Sequence, residues 1–261
     1  MIRQIRIELL KLSTIRFNYG LLAAAVALTG VFSALSASRA GQASGVAPLN
    51  TASGLSTIVT GGVWGLLFGA ALGVTISSGE FRHQTATLTY LATPDRTRVL
   101  VAKAVAAAVA GAVFGLAVYL VATGVGLGFV AGHGYPVSIG ALTFVRYGLG
   151  HLAGGALLAV LGAVVGSLVR SQLAGVIGVF VWSIILESLI GGLFTSVRPY
   201  LPYTAATSLA GTALGAAGFG PAHAASGAVP LPFAAATALL AGLAVVLATI
   251  AARTTVRRDI A

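Results

Sequence analysis

The sequence predicts an all-α polytopic membrane protein with six transmembrane helices, and three observations carry that prediction. Of 261 residues, 57% are apolar and only 8% are charged, against roughly 25% charged in a soluble domain. Mean hydropathy is +1.00, so the chain lacks the polar surface needed to face water. Six apolar runs, at 19–37, 55–78, 99–130, 143–168, 173–195 and 231–252, match or exceed the length of about 20 residues that crosses a bilayer as a helix. These runs and their connections occupy the chain as a single transmembrane domain, 1–261.

Residues 1–17 open the chain as an amphipathic segment. Ile2, Ile5, Leu9 and Leu12 recur at helical spacing, while Arg3, Arg6, Lys11 and Arg16 fall largely elsewhere. The pattern predicts an interfacial helix, apolar side down and basic side toward anionic lipid. A signal peptide also starts basic, and the small residues at 33–38 resemble a cleavage site. The length and periodicity of the leading segment favour an uncleaved anchor. Segment 38–54 is small, polar and Gly-rich and reads as a loop, 131–142 is a short Gly/Pro turn, and 169–172 is a tight polar one. The third run is longer than a span needs, so its start near Lys103 projects beyond the bilayer or the helix tilts. Segment 196–230 contains Pro199, Pro202, Pro221 and Pro230 yet is only weakly polar. It predicts one or two short helices resting on, or dipping into, the outer membrane face.

Lysine and arginine positions set the expected orientation. With the N-terminus inside, Arg3, Arg6, Lys11, Arg16, Arg82, Arg96, Arg98, Lys103, Arg170, Arg253, Arg257 and Arg258 are cytoplasmic, and only Arg39, Arg146 and Arg198 are external. An odd number of spans would put the last basic cluster outside. The asymmetry therefore predicts an even count and both termini in the cytoplasm; the expected location is the cell (plasma) membrane. The net charge of +10 reports this loop bias, so no nucleic-acid partner is expected. Tyr135, Tyr147, Tyr200 and Tyr203 fall near the expected outer face, as an aromatic belt would.

Glycines four residues apart recur in the spans: Gly65, Gly69 and Gly73, then Gly111 with Gly115, Gly150 with Gly154, and Gly162 with Gly166. Such stripes let helix backbones approach closely where no hydrophobic force drives association, and they predict packing seams. Trp64 and Trp182 lie within spans and read as packing residues.

The chain has no cysteine, which excludes disulfides and Cys-ligated metal, and His83, His133, His151 and His223 are far apart. No metal site is expected. A phosphate-binding P-loop ends in Gly-Lys-Ser/Thr. The only lysines, Lys11 and Lys103, follow Leu10 and Ala102. The chain therefore carries no Walker-type ATPase site and no catalytic set is expected.

Two places remain for function. The first is 79–98, between the second and third spans. Glu80, Arg82 and His83 follow the span, a Thr-rich stretch with Thr85, Thr87 and Leu91 comes next, and Pro94 and Arg96 lead back toward the membrane. Docking of a cytoplasmic partner and an ordinary positive-inside loop both fit this pattern. The second is Glu187 in the fifth span, an ionisable group at membrane depth and hence a functional hypothesis by default. His151 and Arg146 on the fourth span have comparable depth, and Glu187 is expected to pair with one of them, His151 before Arg146. Such a cluster is either a gate or substrate contact, or a structural bond pinning the two spans.

The pattern Glu80-x-Arg82-His83-x-Thr85, followed by Leu91-x-x-Pro94-x-Arg96 and Lys103, resembles the loop of ABC-2 type transporter permeases. The layout of the whole chain is similar to theirs as well. The resemblance implies a permease subunit coupled through 79–98 to a separate cytoplasmic ATPase, which would hold ATP and Mg while this chain holds no cofactor. It also implies a second permease, a copy or a relative, and export as the direction. The competing expectation is an ATP-independent secondary transporter or channel using Glu187 and His151 as a polar relay, although such transporters often contain internal repeats and none is evident between the halves. An intramembrane enzyme would need convergent acids, and Glu8, Glu80, Asp95, Glu187 and Asp259 are scattered.

Overall fold

The computed structural model describes residues 2–42, 46–82, 96–169, 171–212 and 229–254. These residues form helices and their connections, with no strand among them. In chain order the helices are α1 (Ile2–Thr14), α2 (Arg16–Ser38), α3 (Ala52–Val59), α4 (Val63–Arg82), α5 (Arg96–Gly132), α6 (Ala141–Val169), α7 (Gln172–Phe180), α8 (Glu187–Leu193), α9 (Pro202–Leu209) and α10 (Phe233–Thr254). A 3-10 turn at Thr60–Gly62 joins α3 to α4, and a π-helical turn at Val181–Leu186 joins α7 to α8.

Six stretches are long and apolar enough to cross a membrane: Arg16–Ser38, Ala52–Gly79, Arg98–Gly132, Ala141–Val169, Gln172–Leu193 and Phe233–Arg253. They coincide with the six apolar runs to within a few residues and make this a multi-pass membrane protein. Local chemistry sets several ends. The Thr51 hydroxyl accepts the Gly54 N–H at 3.1 Å at the start of α3, and Ser171 accepts the Ala174 N–H at 3.4 Å at the start of α7; both satisfy backbone donors that a helix start leaves open. Past the end of α5, Gly134 adopts φ +68. Its N–H reaches Ala131 and the Tyr135 N–H reaches Val130, a Schellman closure that a residue with a Cβ would resist. With 37 residues, α5 is about 55 Å long. It therefore overruns an apolar layer about 30 Å thick.

The spans are not equivalent. In the second, 78% of the apolar window is buried inside the protein and in the fourth 56%, but only 22% in the first and 17% in each of the fifth and sixth. The second and fourth spans are therefore the axis, and the others are arranged around them. Glycine makes this possible. A Cβ on Gly73 would collide with the Ala159 carbonyl, and one on Gly162 with the Ala70 carbonyl. Those two helices thus meet backbone to backbone. Gly111 and Gly155 do the same between the third and fourth spans, each facing the other's carbonyl. Larger side chains close the remaining gaps: Phe32 stacks on Trp64 at 5.7 Å, and Phe68 meets Phe180 edge-on at 5.5 Å.

The stripe of α1 expected to face lipid is partly turned to protein. Ile5, Leu9 and Leu12 are half-buried, and Leu12 packs against the main core. Glu8 shares that face and is buried.

Candidate functional site

Two carboxylates are buried among the described residues, Glu8 at 6% exposure and Glu187 at 3%. The elements around each determine what it can do.

Glu187 begins α8, directly after the π turn. In a π turn the chain needs more than four residues to come round, which brings residues five apart onto one face. The indole of Trp182 therefore points at Glu187 and donates to Oε1 at 3.1 Å. The other donors come from α9. That helix starts with Leu201 at its N-cap position, which has no side-chain oxygen to offer, and Pro202 at its first position, which has no N–H. The next two backbone N–H groups turn to Glu187: Tyr203 donates to Oε1 at 2.8 Å and Thr204 to Oε2 at 3.0 Å. The Thr204 hydroxyl adds a fourth bond to Oε2 at 3.1 Å. A side chain of the fifth span thus caps a helix that begins fifteen residues later, where a negative group also meets the positive end of the helix dipole.

Beyond this cap α9 is sunk into the bundle. Tyr203, Ala205, Ala206, Thr207 and Leu209 are all buried. The Tyr203 hydroxyl donates to the Val63 carbonyl at 3.1 Å, and Thr212 to that of Thr60 at 3.3 Å. Gly150 and Gly154 receive it: a Cβ on Gly150 would strike the Leu209 carbonyl, and one on Gly154 would come within 3.0 Å of the Ala206 carbonyl. This glycine pair seats a short inserted helix rather than another span. Tyr203 accordingly leaves the expected aromatic belt, whereas Tyr135 and Tyr200 are exposed.

The expected pairing of Glu187 with His151 or Arg146 is not formed. His151 is fully buried on another side of the fourth span. Its Nδ1 is 2.9 Å from the Tyr147 carbonyl, its ring lies 5.2 Å from Tyr119, and its Nε2 faces Gly62. Arg146 is exposed. The correction has a simple cause: depth along a span fixes a level but not a direction, and α9 takes the donors' place beside Glu187.

Glu8 sits at the other end of the bundle. Lys103, 4% exposed on α5, donates to Glu8 Oε2 at 3.3 Å and to the Ile76 carbonyl of α4 at 3.2 Å. Lys11 donates to Oε1 at 2.9 Å. One ammonium thus joins α1, α4 and α5 where α4 and α5 flank 83–95. Glu80 and Arg82 fall in the last turn of α4 and Arg96 begins α5; His83, Thr85, Thr87, Leu91 and Pro94 lie outside the described residues.

A cavity of about 460 Å³ lies below α9. Its walls come from the second, fourth, fifth and sixth spans, with Trp182, Ser183, Pro202 and Tyr203 at the α9 side. Sequence reasoning missed Glu8, Trp182, Tyr203 and Thr204 as site residues and named Lys103 only within the pattern around 80–103. A signal existed for two of them: an acid and a lysine, each interrupting an apolar face. No family model matches the chain, and no curated protein matches it either.

Proposed function

We propose that this chain is the permease subunit of an ATP-driven ABC transporter of the ABC-2 type, working in export beside a separate cytoplasmic ATPase. The observation that carries the reading is the buried Glu8–Lys103 pair with its bond to the Ile76 carbonyl. It locks the N-terminal helix to both helices that border 79–98, so force applied to that segment reaches α1, α4 and α5 as one body. Breaking a buried ion pair by removing one partner is costly, which suits a joint that must transmit load. The Lys/Arg asymmetry supports placing this end and both termini in the cytoplasm, and the permease reading implies the cell membrane. The absence of Gly-Lys-Ser/Thr from the sequence supports hydrolysis of ATP, with its Mg, on the partner. By analogy, two permeases and two ATPases make the working unit, the second permease being a copy of this chain or a relative.

A relay through Glu187 and His151 has nothing in its favour, because the two groups do not meet and Glu187 is engaged by four donors. The test is co-purification of a Walker-bearing ATPase with the full chain in mild detergent, repeated with 85–94 replaced by a Gly/Ser stretch. Association that disappears on replacement supports the reading. Substrate flux with no ATPase bound and no ATP requirement sinks it.

A further inference from the structure

We propose that the cavity under α9 is a binding site for an acyl chain that arrives sideways from the bilayer. Its lining is almost wholly apolar, with Leu158, Leu161, Val165, Val179, Leu243 and Leu247 as the largest contributors. At about 460 Å³ it falls within the 300–1,000 Å³ range of small-molecule sites. Apart from the Ser183 hydroxyl, the polar groups at its rim are already engaged. The Trp182 indole N–H and the Tyr203 backbone N–H donate to Glu187, and the Tyr203 hydroxyl donates to Val63. A charged or strongly polar ligand would give up its hydration here and find only the single Ser183 hydroxyl in exchange. Water gains no more, since apolar cavities stay dry.

The position supports a lipid source. Trp182 lies midway along Gln172–Leu193, at the centre of a span. The fifth and sixth spans, which wall the cavity, are the least buried of the six together with the first. Both rest against the fourth span, leaving the cavity as a recess between two outward-facing helices. An unfilled recess forfeits dispersion contacts on one side, and an acyl chain from the surrounding bilayer restores them. Glu187 is a positioning residue for this site: it fixes Trp182 from the fifth span and Tyr203 from α9, the two aromatic walls nearest the inserted helix. Combined with the permease reading, on which this last step alone rests, acyl-bearing molecules are the cargo class.

The chain has two tryptophans, so Trp64→Phe leaves Trp182, on the cavity wall and 43% exposed, as the sole indole reporter. This variant, in lipid nanodiscs, is titrated with the methyl ester of dibromostearic acid, a heavy-atom quencher on an acyl chain. The expected result is quenching that saturates at low mole fraction and is reversed by unbrominated methyl stearate. Gly178 lines the cavity, and a Cβ there meets nothing within 4 Å. Gly178→Phe in the Trp64→Phe background therefore adds a ring at the cavity wall with no clash at its Cβ, and it should weaken the apparent affinity by about tenfold. Leu247→Phe serves the same purpose from the opposite wall, with circular dichroism and gel filtration checking the fold of both. Quenching that rises linearly with mole fraction and is equal in all variants overturns the proposal. So does binding of the free acid without the ester, which would mean a charged head is recognised. A loss of dimer in Gly178→Phe without saturable quenching also overturns it, since a second copy would then occupy the recess. An ATPase that co-purifies while quenching is linear removes the site and leaves the permease reading; saturable quenching without any ATPase does the reverse.

Discussion

Glu8 and Glu187 are both carboxylates withdrawn from solvent in the same bundle, yet they are held by opposite means. Glu8 is held by charge: Lys11 and Lys103 both reach it, and Lys103 is itself buried. Glu187 is held by dipoles alone, namely two backbone N–H groups, one hydroxyl and one indole. The first arrangement joins three helices through one point and fails if Glu8 or Lys103 loses its charge. The second distributes the load over four weaker bonds. Losing one of those bonds leaves three. The difference suits a rigid joint at one end and an adjustable seat for α9 at the other.

The largest expected effect tests the rigid joint. Lys103→Met leaves Glu8 buried with only the partly exposed Lys11 against it and should cost about 3–5 kcal/mol, read as a lowered midpoint of chemical denaturation in detergent. Combining it with Glu8→Gln should recover most of the loss, because removing both charges leaves none stranded. A double variant as unstable as the single one would show that the pair is not the source of the cost.

Glu187→Ala comes next. It uncaps α9 and strands two buried N–H groups, at about 2–4 kcal/mol for the pair. Hydrogen exchange at Tyr203 and Thr204 should accelerate while the Ile76 region stays protected; acceleration throughout would mean that α9 is no separate unit. Glu187→Gln should be milder, about 1–2 kcal/mol, since one oxygen survives as an acceptor. Glu8→Gln should cost more than that, because it leaves Lys103 charged and buried. Equal losses for these two conservative changes would erase the contrast between the ends. The smallest expected effect is Thr204→Val, which removes one of four donors and should cost about 1 kcal/mol, measured by the same denaturation.

Much of this was legible in the sequence, for identifiable reasons. Span positions follow from apolar runs, because the bilayer imposes a length that composition alone reveals. The stripes through Gly73, Gly111 and Gly162 marked backbone contact, because a missing Cβ has meaning wherever two helices touch. What stayed hidden depended on direction or on distant partners. Nothing in WSIILE tells which side of its helix Glu187 faces, and the π turn that aligns it with Trp182 has no sequence signature. The start of α9 lacked a Ser, Thr, Asp or Asn cap, since its cap lies on another element. Lys103 had the look of a span-end cation, and its partner Glu8 is 95 positions away.

The unequal burial of the spans also bears on how such a chain ages. Where a helix faces lipid, nearly any apolar residue serves, so the lipid-facing positions of the first, fifth and sixth spans are free to drift. Along the second and fourth, a single added methyl at Gly73 or Gly162 meets a carbonyl with no room to yield. Over long descent the lipid-facing stripes can lose every recognisable letter while a few glycines and inward groups such as Glu187 keep the architecture. A search for distant kin would do better to weigh the spacing of Gly73, Gly111, Gly155 and Gly162 than the identity of the leucines and valines between them.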